Sequence, residues 1–168
     1  MMKISSNLAI EPEELRSFLV KAKRNAWAGN VNEVPATRPN FKRHVFKMGN
    51  WEYEDEYTGF YCAPGQEIVR YSTIPAWAMS YDGGMSEKYR GYLDFARTTF
   101  AFLKEALANV PESMPLRGHD LHKKDNLIYR CSVTGDIIRF RGNEMIRDAV
   151  IGLPLFEQNF MGGIIVHK

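Results

Sequence analysis

The stretch from Trp51 to Gly84, WEYEDEYTGFYCAPGQEIVRYSTIPAWAMSYDGG, decides how the chain is read, because a second version of it runs from Leu127 to Gly163. Tyr57-Thr58-Gly59 aligns with Val133-Thr134-Gly135, and Gly65-Gln66-Glu67 with Gly142-Asn143-Glu144. Pro75-x-Trp77-x-x-x-Tyr81-x-Gly83-Gly84 aligns with Pro154-x-Phe156-x-x-x-Phe160-x-Gly162-Gly163. The offset is 154 − 75 = 79 at the proline and 162 − 83 = 79 at the glycines. Two units of this size are too long and too few for a solenoid, which stacks at least about three short repeats. They read as a single domain over residues 1–168, duplicated internally over about 11–84 and 86–163.

Inside the first copy, Trp51, Tyr53, Asp55 and Tyr57 fall on one face of a strand and Glu52, Glu54 and Glu56 on the other, since side chains alternate with period two. The glutamates read as the wet face. That leaves Asp55 as a carboxylate among three large aromatics on the inward side, while its repeat position holds Cys131. The aspartate is therefore no requirement of the scaffold, and it points to a local task in the first half.

Working outward, Pro12 with Glu13 and Glu14 opens an amphipathic helix. Leu15, Phe18, Leu19, Ala22 and Ala26 form its apolar stripe, with Arg16, Lys21, Lys23 and Arg24 opposite, and it ends near Gly29. Residues 29–50 show no period and read as a basic loop. Strands follow at Trp51 to Tyr57, Ile68 to Tyr71 and Ala76 to Tyr81, the last closed by Gly83-Gly84. A broad apolar helix runs from Ser86, an N-cap candidate, to Val110. After an irregular stretch around Met114 to Asn126, the second copy repeats the strands. The expected fold is α+β: two repeats of helix plus three-stranded antiparallel meander, about six strands packed around two helices. Two separate small sheets forming a groove are the alternative.

At 168 residues, 45% hydrophobic and 12% aromatic, the chain suffices for one core. Net charge is +2, from 22 basic and 20 acidic residues, so no overall field favours nucleic acid or an anionic membrane. Cys62 and Cys131 read as free thiols of a reducing compartment. No run approaches the roughly 18 apolar residues of a membrane span, and the expected location is cytoplasmic. His119-Asp120-x-His122 has short spacing and no third ligand, so no metal or other cofactor is expected.

In order, these motifs resemble a bacterial domain family of unknown function, found alone or behind an Xre-type helix-turn-helix domain in presumed transcriptional regulators. The resemblance runs from Phe18 to Gly163. It rests on Phe18-Leu19-Val20-x-Ala22-Lys23 with Trp27-Ala28, on Tyr53-x-Asp55-x-Tyr57-x-Gly59, and on Gly65-Gln66-Glu67. It continues through Trp77-x-Met79-x-Tyr81-x-Gly83-Gly84, Met114-Pro115-x-Arg117-Gly118, Gly135-Asp136, Phe140, Gly142-x-Glu144 and Gly162-Gly163. Ser80, Asp82 and His119 depart from the family pattern. The resemblance implies a setting in gene regulation and small-molecule sensing, with this chain similar to the stand-alone members.

Tyr and Trp line pockets for flat or amphipathic ligands. The candidate binding residues are Trp51, Tyr53, Asp55, Tyr57, Glu67, Trp77, Tyr81 and Arg117, around an unidentified small molecule. If Asp55, Glu67 and Glu144 converge, their repulsion makes one of them a proton carrier. The leading expectation is a binding or sensory module without turnover. A small hydrolase or isomerase using Asp55 or Glu67 as general base, and a structural or protein-interaction domain with a homodimer surface, are the alternatives.

Overall fold

The structure is a computed structural model and describes residues 1–5, 8–26 and 33–168. In chain order come strands β1 (Met2–Ser5) and β2 (Leu8–Ile10), helix α1 (Pro12–Asn25), and strands β3 (Lys42–Met48), β4 (Trp51–Tyr57), β5 (Gly65–Tyr71) and β6 (Ile74–Met85). Helix α2 (Leu93–Ala108) follows, then strands β7 (Leu121–Lys124), β8 (Leu127–Asp136), β9 (Arg139–Asp148) and β10 (Pro154–Ile164). β1 and β2 pair as a ribbon, and the other eight strands form one antiparallel sheet in the order β3-β4-β5-β6-β10-β9-β8-β7. Two four-stranded runs thus meet where β6 pairs with β10, and there Tyr81 stands opposite Phe160.

This corrects the expected α+β fold of helix plus three-stranded meander taken twice, and the alternative of two separate small sheets. Among the described residues the protein is mostly β, with ten strands in two sheets and two α-helices. Two strands hid in charged stretches. In β3, within the supposed loop 29–50, Lys42, Arg43 and Lys47 break up the apolar pattern of Val45 and Phe46, while β7 is only Leu-His-Lys-Lys. Nor do the glycine pairs end strands. β6 runs on through Gly83 and Gly84, where an added Cβ would lie 2.2 Å from the Glu157 carbonyl oxygen and 2.0 Å from that of Tyr61. Those glycines admit close backbone approach instead of turning the chain.

The core has two parts. Around α1, Leu15, Phe18, Leu19 and Ala22 pack on Tyr53, Val69 and Trp77. Around α2, Phe102, Leu103, Ala106 and Leu107 pack on Tyr129, Ile146 and Phe156. The outward glutamates of β4 are not simply wet. Glu54 pairs with Arg43 at 2.7 Å, and Glu56 accepts hydrogen bonds from the Thr37 amide at 2.6 Å and from Arg38 Nε at 2.8 Å. Trp27, Ala28 and Gly29, at the expected end of the first helix, lie outside the described residues. No helix among the described residues is long and apolar enough to cross a membrane.

Candidate functional site

Residues opposite one another on paired strands share a face of the sheet. The register lines up His44, Asp55, Glu67 and Met79 across β3 to β6. Beside that row runs another, Tyr57, Gly65, Tyr81 and Phe160. Gly65 matters because it has no side chain: a Cβ there would lie 2.3 Å from the Tyr81 hydroxyl oxygen. The Tyr81 ring therefore lies across β5, and its hydroxyl donates to Asp55 Oδ1 on β4 at 2.6 Å. In the other half Gly142 gives the same room to Phe160, whose ζ carbon would lie 2.3 Å from an added Cβ. There Cys131 stands opposite Glu144 as Asp55 stands opposite Glu67. Where the first half has the Tyr81 hydroxyl and Asp55, the matching positions of the second thus hold Phe160 and Cys131.

Around Asp55 lies a buried ionic cluster. Lys23 of α1 donates to Glu67 Oε2, and Glu67 Oε1 lies 3.5 Å from Arg117 Nη1. Arg117 donates through Nε and Nη2 to Glu144 Oε1 at 2.9 and 2.6 Å. Tyr129 donates its hydroxyl to Glu144 Oε2 at 2.7 Å, and Gln158 Nε2 donates to Oε1 at 2.9 Å. Glu144 is 0% exposed, Glu67 2%, Asp55 6% and Lys23 8%. Buried charges cost several kcal/mol each unless paired, and here two cations face three carboxylates. Glu67 and Glu144 hold the cations, so Asp55 is the surplus acid.

Its titration reflects that position. Burial, reinforced by the charge of Glu67, raises the Asp55 carboxyl to about 7 against the opposing pull of Tyr81, Arg117 and Lys23. Burial also lowers Lys23 from its usual range, with Arg117 adding to the effect and Glu67 opposing it. For Arg117 burial works against the charge, but Glu144 and Glu67 outweigh it and hold the guanidinium firmly protonated.

The cluster floors a cleft of about 440 Å³ between the sheet and α2. Of the residues singled out in sequence, Tyr53, Asp55, Tyr57, Glu67, Tyr81 and Arg117 line it. Trp51 and Trp77 do not. Trp51 packs between Phe18 and Tyr71, with ring centroids 5.3 and 4.7 Å away. Trp77 is fully buried and donates its indole N–H to the Ile137 carbonyl at 3.1 Å. Sequence reasoning missed Lys23, Gln158 and Phe100 as lining residues. Lys23 carried a signal, since it continues the four-residue step Leu15, Leu19, Lys23 on the buried face of α1. His122 stands 3.9 Å from Glu105, and no trio of metal-ligating side chains forms among the described residues.

No curated protein and no solved structure matches the chain. A family model does match, over residues 55–165, a span that takes in Asp55, Glu67, Tyr81, Arg117 and Glu144. That is 165 − 55 + 1 = 111 of 168 residues, so the chain belongs to the family described as Domain of unknown function (DUF5680).

Proposed function

We propose that this protein is a small-molecule-binding domain of the sensory kind, with Asp55 as the polar handle at the floor of its cleft. The observation that carries the reading is a surplus buried carboxyl group facing about 440 Å³ of space. That volume falls within the roughly 300–1,000 Å³ of small-molecule sites. An acid left over after two ion pairs costs stability wherever it is ionised, which is the expected signature of a group kept for binding. The resemblance of its motifs to a bacterial regulator-associated family supports a cytoplasmic role in gene regulation.

One observation favours a second reading. A carboxyl group that titrates at about 7 suits a general base, so a hydrolase or isomerase acting through Asp55 is the alternative. Glu67 suits that role less, since its two oxygens face Lys23 and Arg117.

The test is a thermal-shift screen of the full chain over a metabolite library. A ligand at a hundred times its dissociation constant adds about 2.7 kcal/mol, and the shift should vanish in a folded Asp55→Asn variant. A hit that is chemically converted by the parent, and bound but left intact by the variant, establishes the enzymatic reading. A shift that persists at full size in Asp55→Asn defeats the proposal that Asp55 is the handle.

A further inference from the structure

We propose that the guest is bipolar: a protonated amine that replaces the proton of Asp55 at the floor, and an anionic group that meets the cations at the mouth. This rests on the binding role proposed above and adds the chemical class. At the floor, the charges of Lys23 and Arg117 are matched by Glu67 and Glu144. Among the described residues Asp55 accepts a side-chain hydrogen bond from the Tyr81 hydroxyl alone, at Oδ1, while Lys23 and Arg117 act on it only through their charge. A cationic hydrogen-bond donor arriving at Oδ2 would complete the charge balance, three cations against three carboxylates, without disturbing either ion pair. Tyr53, Tyr57 and Tyr81 line the same space, and aromatic faces attract ammonium groups.

The mouth has the opposite character. Lys42 of β3 and Arg97 and Lys104 of α2 line the cleft, with the Lys42 and Arg97 side chains 54% and 64% exposed. Lys42 lies 3.9 Å from Glu33 and Arg97 3.3 Å from Asp94. Exposed pairs of this kind are weak and yield to a better anion. Burial and the charge of Lys42 lower Lys104 from its usual range, so these two cations sense one another across the mouth. An anion between them relieves that repulsion. Floor and mouth therefore ask for opposite charges on one molecule.

The pH dependence belongs to Asp55 in a crowded setting. Facing it are His44 on β3, Tyr53 on β4, Glu67 on β5, Tyr81 on β6, Lys23 on α1 and Arg117 in the loop before β7, with Arg97 and Lys104 of α2 across the cleft. An amine needs Asp55 ionised, so affinity rises with pH through the range in which Asp55 loses its proton.

Three probes on the phenethyl scaffold test this by titration calorimetry on the full chain at pH 6 and 8: O-phosphotyramine, tyramine without the anion, and 4-ethylphenyl phosphate without the amine. O-Phosphotyramine should bind at least about tenfold tighter than either of the others. It should also tighten about tenfold between the two pH values, beyond any change shown by 4-ethylphenyl phosphate, whose phosphate titrates alike. Both advantages over 4-ethylphenyl phosphate should disappear in Asp55→Asn, or in Asp55→Ser if the first variant does not melt cooperatively. Equal affinity for O-phosphotyramine and 4-ethylphenyl phosphate overturns the amine. A pH gain that survives in the Asp55 variant belongs to a neighbour such as His44 and overturns the exchange. If none of the three binds while the metabolite screen yields a neutral or purely anionic hit dependent on Asp55, the class is wrong and the binding role stands. If neither experiment yields a ligand, both fall.

Discussion

Asp55 is costly to keep, and that cost can be read against pH. The folded protein holds its proton up to about 7, whereas the ordinary value is 3.8. Folding therefore takes up a proton between those values, and the stability tied to Asp55, complete below about 4, is lost as pH rises through about 7. Asparagine has no such dependence. We expect Asp55→Asn to exceed the parent in stability by up to about 4 kcal/mol at pH 8 and to lose that advantage near pH 4. Melting curves of both proteins at the two pH values check this, and a variant less stable than the parent at pH 8 would mean that Asp55 is a structural anion. The sequence exposed this residue because strict alternation stranded a carboxylate among aromatics. It could not separate Trp51 and Trp77 from Tyr53, Tyr57 and Tyr81, because whether an inward ring serves core or cleft depends on which helix covers it, and that contact is remote in sequence.

Between strands, the decisive fitting is the bare backbone of Gly65 beneath the Tyr81 ring. Gly65→Ala places a methyl group 2.3 Å from the hydroxyl oxygen, so the ring must lift and its bond to Asp55 must break. Overpacking of this sort costs about 1–3 kcal/mol. Adding Tyr81→Ala should recover part of that loss relative to Tyr81→Ala alone, without restoring ligand binding. Denaturation midpoints for the four proteins of the cycle give the coupling, and additive losses would show that ring and glycine do not touch. The strands β4 and β5 were legible from period two and from the glycine before Gln66. β3 and β7 were not, since edge strands carry charge that blurs alternation. Ser86 looked like the cap of the second helix. Its hydroxyl instead donates to the Pro154 carbonyl at 2.7 Å, a short 3-10 turn over Glu87–Tyr89 intervenes, and α2 begins at Leu93.

Across the whole molecule, Arg117 is the tie. From the loop between α2 and β7 it reaches Glu67 in one half of the sheet and Glu144 in the other. Breaking a buried pair by removing one partner costs about 3–5 kcal/mol, because a charge is left behind. Arg117→Met should lose about that much, and Arg117→Met combined with Glu144→Gln should recover a large part, with the Lys23–Glu67 pair untouched. Urea midpoints measure both, and a double variant no better than the single would place the cost in packing, not in the orphaned carboxylate. The sequence offered Arg117 and the two glutamates as candidates. What joins them is the pairing of β6 with β10, a contact between distant segments that local pattern does not encode.

That central pairing sets two rings side by side, each lying over its own glycine, and only Tyr81 of the two ends in oxygen. Of those two rings, one alone is thereby a polar pole. A guest that reads the pole has one way to lie and one place to lie in, so saturation should come at one molecule per chain although two four-stranded runs meet there.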